Sequence, residues 1–327
     1  MTTERIRRLE EKCRRNGEKR IQSHFQYDLH HAAETEYASL EQWEKIARSM
    51  AYAIRNQDVY VEPEDRIGGR GYQLSEKPVE KAAPDLDCMT EAGKIFCGEF
   101  PEARELQKHN LIGDTSRGHI TWHFNRILEQ GIIGFRKTWE DALANAKDEE
   151  AGQFYQGVLI LLDALQEYND KHIAAYEAIG NMEVAQRMRK VPAYPAETFL
   201  EAVQAFQIQH LAVMAENPYG GNGPGQLDYY LWPYLKRDLE KGICTLEEAK
   251  EIIDELFLRF EERLYGRDMW VEAIVVGGSH PDGSSAVNPL TYIMVESILD
   301  LHITHPSVYV RLPRIRRKNC CSYAPGI

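Results

Sequence analysis

The chain of 327 residues carries 51 Asp and Glu against 39 Lys and Arg, a formal net charge of -12, so it lacks the clustered cationic excess that a nucleic-acid surface needs. No apolar run approaches the roughly 18 residues of a membrane span, and the amino terminus lacks the apolar core of a secretory signal, which points to a cytoplasmic protein with no membrane partner. Cys13, Cys88, Cys97, Cys244, Cys320 and Cys321 form no C-x-x-C pair and read as reduced thiols, not as a disulfide frame or a metal site.

Residues 1 to about 56 read as helices, the second opened by Ser39 with Gln42 three positions on, a capping-box pattern. Arg5, Arg7, Arg8, Lys12, Arg14, Arg15, Lys19 and Arg20 are interspersed with Glu4, Glu10, Glu11 and Glu18, the pattern of a solvated helix face. From Gln57 to about Cys97 periodicity fades around Gly68, Gly69, Gly71, Pro78 and Pro84, giving a long irregular segment that is either functional or poorly ordered. A stretch over 113–136 then places Gly118, His119, Trp122, Leu128, Gly131 and Gly134 in close succession.

Phe154, Val158, Leu161, Leu165, Tyr168, His172, Tyr176 and Ile179 mark one long helix ending near Gly180. Phe199, Val203, Phe206, His210 and Val213 mark the buried face of another. His172 and His210 sit on these apolar stripes and read as satisfied core histidines. Between Asn217 and Gly225 four glycines and two prolines occur in nine residues, a loop that lets backbone approach something bulky and suits a pocket wall. Thr245 with Glu248 caps a further helix striped by Leu246, Ala249, Ile253, Leu256, Phe260 and Leu264. Val271 to Val276 and Ser307 to Leu312 read as strands flanking a helix from Pro289 to about Ile303, a right-handed crossover between parallel strands. No H-E-x-x-H, G-x-S-x-G or P-loop spacing occurs, which leaves a hydrolase or metal enzyme without support.

Several of these stretches carry a resemblance. Glu216-Asn217, Gly225-Gln226-Leu227-Asp228-Tyr229-Tyr230-Leu231, Pro233-Tyr234 and Asp238 with Gly242 are similar to a block of the glycyl radical enzymes related to pyruvate formate-lyase. Gly277-Gly278, Asp282-Gly283 and Asn288, then His305-Pro306-Ser307 and Val310-Arg311, resemble two later blocks, and 113–136 resembles an earlier one. Gln226 stands where relatives have Arg, and Tyr229 where they have Gln. The resemblance implies a helix-rich α/β fold, the N-terminal part of a ten-stranded pyruvate formate-lyase-like barrel, spanning residues 1–313 and left incomplete. It implies a radical lyase or dehydratase cleaving a C–C, C–O, C–N or C–S bond of a small polar metabolite. In that family a glycyl radical, installed by an activating enzyme that uses S-adenosylmethionine and an iron–sulfur cluster, oxidises a barrel cysteine.

Neither the cysteine-loop motif nor the C-terminal glycine motif stands in this sequence, so no catalytic residue is assigned and inactivity alone is expected. By the same resemblance His119, Trp122, Asn217, Tyr219, Gly220 and Gly221 face the substrate, while Asp228, Asn288 and Arg311 are structural, Asp228 as a helix cap and Arg311 in an internal pair. Gly220 and Gly221 replace the His-Ser pair of glycerol- and propanediol-type dehydratases, which weakens those substrates. Residues 314–327 read as an aberrant or disordered tail, as from a premature termination or frameshift, and the flanks of Cys320 and Cys321 do not match the family's paired cysteines. Unpaired strand edges and the family's habit point to a homo-oligomer. The alternative is a non-catalytic binding or assembly protein derived from the same fold.

Overall fold

The computed structural model describes residues 2–17, 25–70, 121–216, 223–264 and 272–312, with positions 102, 105, 106 and 109 besides. Helix α1, Glu4–Gly17, buries Ile6, Leu9 and Cys13 at three- and four-residue steps. Its basic face is not simply solvated. Arg5 reaches Glu251 at 2.7 Å and Glu255 at 2.6 Å, and Lys12 holds Glu62 and Glu64, each at 2.9 Å. Acidic partners far along the chain turn the expected solvent face into a docking face.

Helices α2, Phe25–Glu34, and α3, Gln42–Asn56, follow. The expected Ser39 cap is not formed: Glu41 is the N-cap residue of α3 and makes no side-chain capping bond. Helix α4, Asn125–Ala144, breaks at Gly131 (φ 68°). The break lets Ile132 and Ile133 donate to the carbonyls of Pro192 and Ala193, and a Cβ on Gly131 would fall 2.4 Å from the Ala193 carbonyl oxygen. Helix α5, Glu149–Ala178, starts on an Asp148 cap and stops before Gly180 at φ 80°. Leu165, Tyr168, His172 and Tyr176 are buried along it, whereas Phe154 at the head of the expected stripe is 60% exposed and packs edge-on against Trp139.

After α6, Met182–Lys190, comes α7, Phe199–Glu216. The expected stripe is buried at Phe199, Val203, Phe206 and His210 and half-buried at Val213. The remaining faces are buried too, including Gln204, Gln207 and Gln209, because α7 lies between two cores. Phe199, Val203 and Phe206 pack with α1, Phe124 and the elements that follow. Ile208 and Leu211 pack with residues of α2, α3, α5 and α6.

Helix α8, Leu227–Lys241, ends in left-handed Gly242. Helix α9, Leu246–Leu264, opens with the expected box: Glu248 accepts from the Thr245 N–H at 2.8 Å and Thr245 Oγ1 accepts from the Glu248 N–H at 3.1 Å. Strand β1, Ala273–Gly277, helix α10, Pro289–Leu301, and strand β2, Ser307–Arg311, complete the described chain. The strands are parallel, with Ala273 opposite Ser307 and Gly277 opposite Arg311. Tyr309 and Val310 of β2 are 56% and 46% exposed.

Candidate functional site

The described part of the glycine-rich loop begins at Gly223 and lies directly on β1. Gly225 forms a parallel bridge with Ile274, and its carbonyl accepts the Val275 N–H at 2.9 Å. A Cβ on Gly223 would fall 2.0 Å from the Ala273 carbonyl oxygen, and one on Gly225 (φ 72°) would fall 2.5 Å from Thr121 Cγ2. These two positions therefore need glycine, the second on backbone grounds as well. Three pieces remote in sequence meet here: Thr121–Trp122, the exit of the loop, and β1.

Trp122 is half-buried against the larger core. Its indole Nε1 is buried with no hydrogen-bond partner among the described residues. The other pocket candidates, His119, Asn217, Tyr219, Gly220 and Gly221, lie outside the described residues, as do Cys320, Cys321 and the 314–327 tail.

Behind this wall sits the partner of His210, which the sequence reads as a satisfied core histidine without saying what satisfies it. His210 Nε2 and Glu272 Oε2 are 2.9 Å apart and both residues are buried. Phe206 stacks on the imidazole at 5.4 Å and Phe260 lies 4.7 Å away. His210 Nδ1 has no partner among the described residues. The Glu272 carbonyl also accepts the Ser307 N–H at 2.8 Å, so one residue ties the start of β1 to α7 and to β2. A glutamate within a predicted strand gave no signal of this by itself.

Beyond the C-terminal end of β1, Asp228 acts across the structure. Gln226, not Asp228, is the N-cap residue of α8. Asp228 Oδ2 accepts from the Gly277 N–H at 2.8 Å and from the Thr291 hydroxyl at 2.5 Å. Burial pushes this carboxyl above its ordinary range, against the downward pull of those donors. Asn288 caps α10 in a capping box with Thr291, so Asn288, Thr291, Asp228 and Gly277 form one chain of hydrogen bonds. Gln226 adds a bond from Nε2 to the Gly277 carbonyl at 3.1 Å. Arg311 departs from expectation: its side chain is exposed, lies over Gly278, and no ion pair holds it among the described residues.

An open groove of about 530 Å³ lined by Arg187, Arg189, Lys190, Tyr194 and Glu201 among others is a poorer candidate. Its cations are already spoken for: Lys190 by Glu197 and Glu201, Arg187 by Glu183, Arg189 by Glu177. Among the described residues no group of three or more His, Cys, Asp and Glu side chains is placed to hold a metal ion, and no helix is long and apolar enough to cross a membrane.

The profile of the pyruvate formate lyase-like family matches residues 89–323. Isethionate sulfite-lyase of Desulfovibrio desulfuricans is 27% identical over 249 residues, which are 65% of this chain and 30% of that protein. Trans-4-hydroxy-L-proline dehydratase of Clostridioides difficile is 24% identical over 271 residues, 74% of this chain and 33% of that protein. The solved structure of hydroxyproline dehydratase from Clostridioides difficile with trans-4-hydroxy-L-proline bound superposes with a TM-score of 0.80 at 20% identity, over 95% of this chain and 48% of that one. The fold is thus the helix-rich one of the glycyl radical enzymes, and the chain spans less than half the length of these relatives.

Proposed function

The chain belongs to the pyruvate formate lyase-like family, and on that premise we propose that it forms the helical portion and one pocket wall of a glycyl radical lyase or dehydratase acting on a small polar metabolite. The observation that carries the reading is the laying of Gly223 and Gly225 on β1 with Thr121 against them. Packed walls of this kind keep water from a reactive carbon centre. His119, Trp122, Asn217, Tyr219, Gly220 and Gly221 face the substrate in this reading. Relatives named for isethionate and for hydroxyproline favour a small polar substrate that carries an acid group over glycerol or propanediol.

The hydrogen-abstracting step in such enzymes requires a radical on a glycine and a cysteine, installed by an activating enzyme that uses S-adenosylmethionine and an iron–sulfur cluster. The described cysteines do not fit that role. Cys13 is enclosed in the core, and Cys244 sits in the turn between α8 and α9, its thiol donating to the Thr245 carbonyl. This chain's own part is to bind, orient and exclude water, and it is inactive alone. It works in the cytoplasm, as a homo-oligomer, with no nucleic-acid or membrane partner.

The test is the DNA downstream of the Leu312 codon, read in all three frames. A frame that continues into a cysteine loop and a C-terminal glycine motif supports the reading. Stops in every frame would favour the alternative, a binding or assembly protein that kept the helical part of the fold.

A further inference from the structure

The segment Glu62–Arg70 has no regular structure, yet it runs through the interior, with Asp65, Ile67 and Arg70 at 3%, 0% and 3% exposure. Every backbone N–H and C=O from Arg66 to Gly69 is satisfied by a side chain. Glu255 Oε1 accepts the N–H groups of Arg66 and Ile67 at 3.0 and 2.9 Å, and Arg187 and Arg259 donate to their carbonyls. Gln204 accepts from the Gly68 N–H at 2.6 Å and donates to its carbonyl at 2.9 Å. Gly69 N–H goes to the Tyr176 hydroxyl at 3.3 Å and its carbonyl to Gln207 at 3.0 Å.

Side chains along the segment add specificity. Asp65 meets Arg259 at 2.9 Å and the Tyr176 hydroxyl at 2.7 Å, and Arg70 is clamped by Glu262. A Cβ on Gly68 would fall 2.3 Å from Met188 Sδ, and Gly69 sits at φ 92° with Leu211 Cδ1 2.6 Å from its missing Cβ. A peptide in a groove is read in the same way, through its backbone and two anchors, but here the segment bends at Arg66 and Ile67 and the lining is helical, not a sheet edge.

We propose that the groove between α5, α6, α7 and α9 is a peptide-binding site specific for an Asp-x-Ile-Gly-Gly-Arg sequence in this bent, irregular conformation, held in this structure by the chain's own residues 65–70 as an exchangeable ligand. Gln204 and Gln207 belong to α7, the helix that runs into the glycine-rich loop, so occupancy of the groove also fixes the root of that loop. The assignment stands independently of the catalytic reading.

Its test is rescue in trans. Two variants of the full chain, Gly69→Ala and Ile67→Ala, loosen the resident segment; should the first fail to fold, the second is read. A synthetic peptide of sequence Glu62–Arg70, added at up to millimolar concentration, is expected to raise Tm saturably by at least ~3 °C and to show saturable fluorescence anisotropy when labelled. The same peptide with its second glycine changed to alanine is expected to do neither. Absence of both effects with the unaltered peptide, or equal effects with the altered one, overturns the proposal.

Discussion

Gln204 holds both backbone groups of Gly68, its Oε1 accepting the N–H at 2.6 Å and its Nε2 donating to the carbonyl at 2.9 Å. A primary amide is the side chain that offers a donor and an acceptor side by side, as a neighbouring strand would. Both groups are buried, so removal of the amide strands two polar atoms. Gln204→Leu is expected to lose about 2–5 kcal/mol in urea denaturation. A loss under about 1 kcal/mol would mean that water reaches Gly68.

Arg259 is fully buried among Asp65, Glu255 and Glu262 at 2.9, 2.6 and 2.9 Å. Burial opposes its charge, but the three carboxylates outweigh that and raise its pKa well above the ordinary value. Arg259→Met leaves three buried carboxylates with only Arg5 and Arg70 as counter-ions and should cost about 3–5 kcal/mol. Lys137→Ala, which breaks an exposed pair with Asp141, should change stability by less than about 0.5 kcal/mol. Equal urea midpoints for the two variants would contradict the assignment of the cluster as dry.

His172 is buried, with Nδ1 2.9 Å from the Tyr168 carbonyl. Burial lowers its pKa from 6.5 to about 4. The unfolded chain therefore takes up a proton that the folded chain refuses. Stability from this residue is complete above pH 6.5 and falls as pH drops towards 4. His172→Phe should remove that part of the acid sensitivity, a differential of about 3 kcal/mol between pH 7 and 4. Parallel stability–pH curves for the two proteins would refute it.

Gly225 meets Thr121 and adopts φ 72°. Gly225→Ala combines a clash with backbone strain and should destabilise by about 1–3 kcal/mol. Adding Thr121→Ser removes Cγ2 and should recover part of that loss but not the strain. The double-mutant cycle measures the contact directly, and strict additivity would mean that the two segments do not touch.

Much of the fold was legible in the sequence where a signal was local. The long α5 and the Thr245–Glu248 start of α9 follow from periodicity and a capping box, and the parallel pairing of β1 with β2 follows from a strand–helix–strand order. Failures came where the deciding partner was distant. Asp228 looks like a cap because an acid near a helix start usually is one, yet Gly277 and Thr291 claim its carboxylate. The all-round burial of α7 was hidden because Gln204 and Gln207 read as polar until Gly68 and Gly69 satisfy them. Arg5 and Lys12 looked like solvent charges for the same reason. At the candidate site, Gly223 and Gly225 make the close backbone approach that the glycine content suggests, while nothing local announced the His210–Glu272 pair or the bond from Gln226 to Gly277.

The threading of residues 62–70 also sets a timetable for synthesis. Gly68 meets Gln204 across 136 positions, and Ile67 meets Glu255 across 188. At about 5–20 residues per second on a ribosome, the segment leaves the tunnel roughly 7–40 s before the side chains that enclose it exist. During that wait its charges stay hydrated and its glycines stay unconstrained, so it offers little for a chaperone to grip. The two cores that share α7 cannot both close until Glu255 and Arg259 emerge. The segment is therefore made early yet locked in place late, only after Glu255 and Arg259 have emerged.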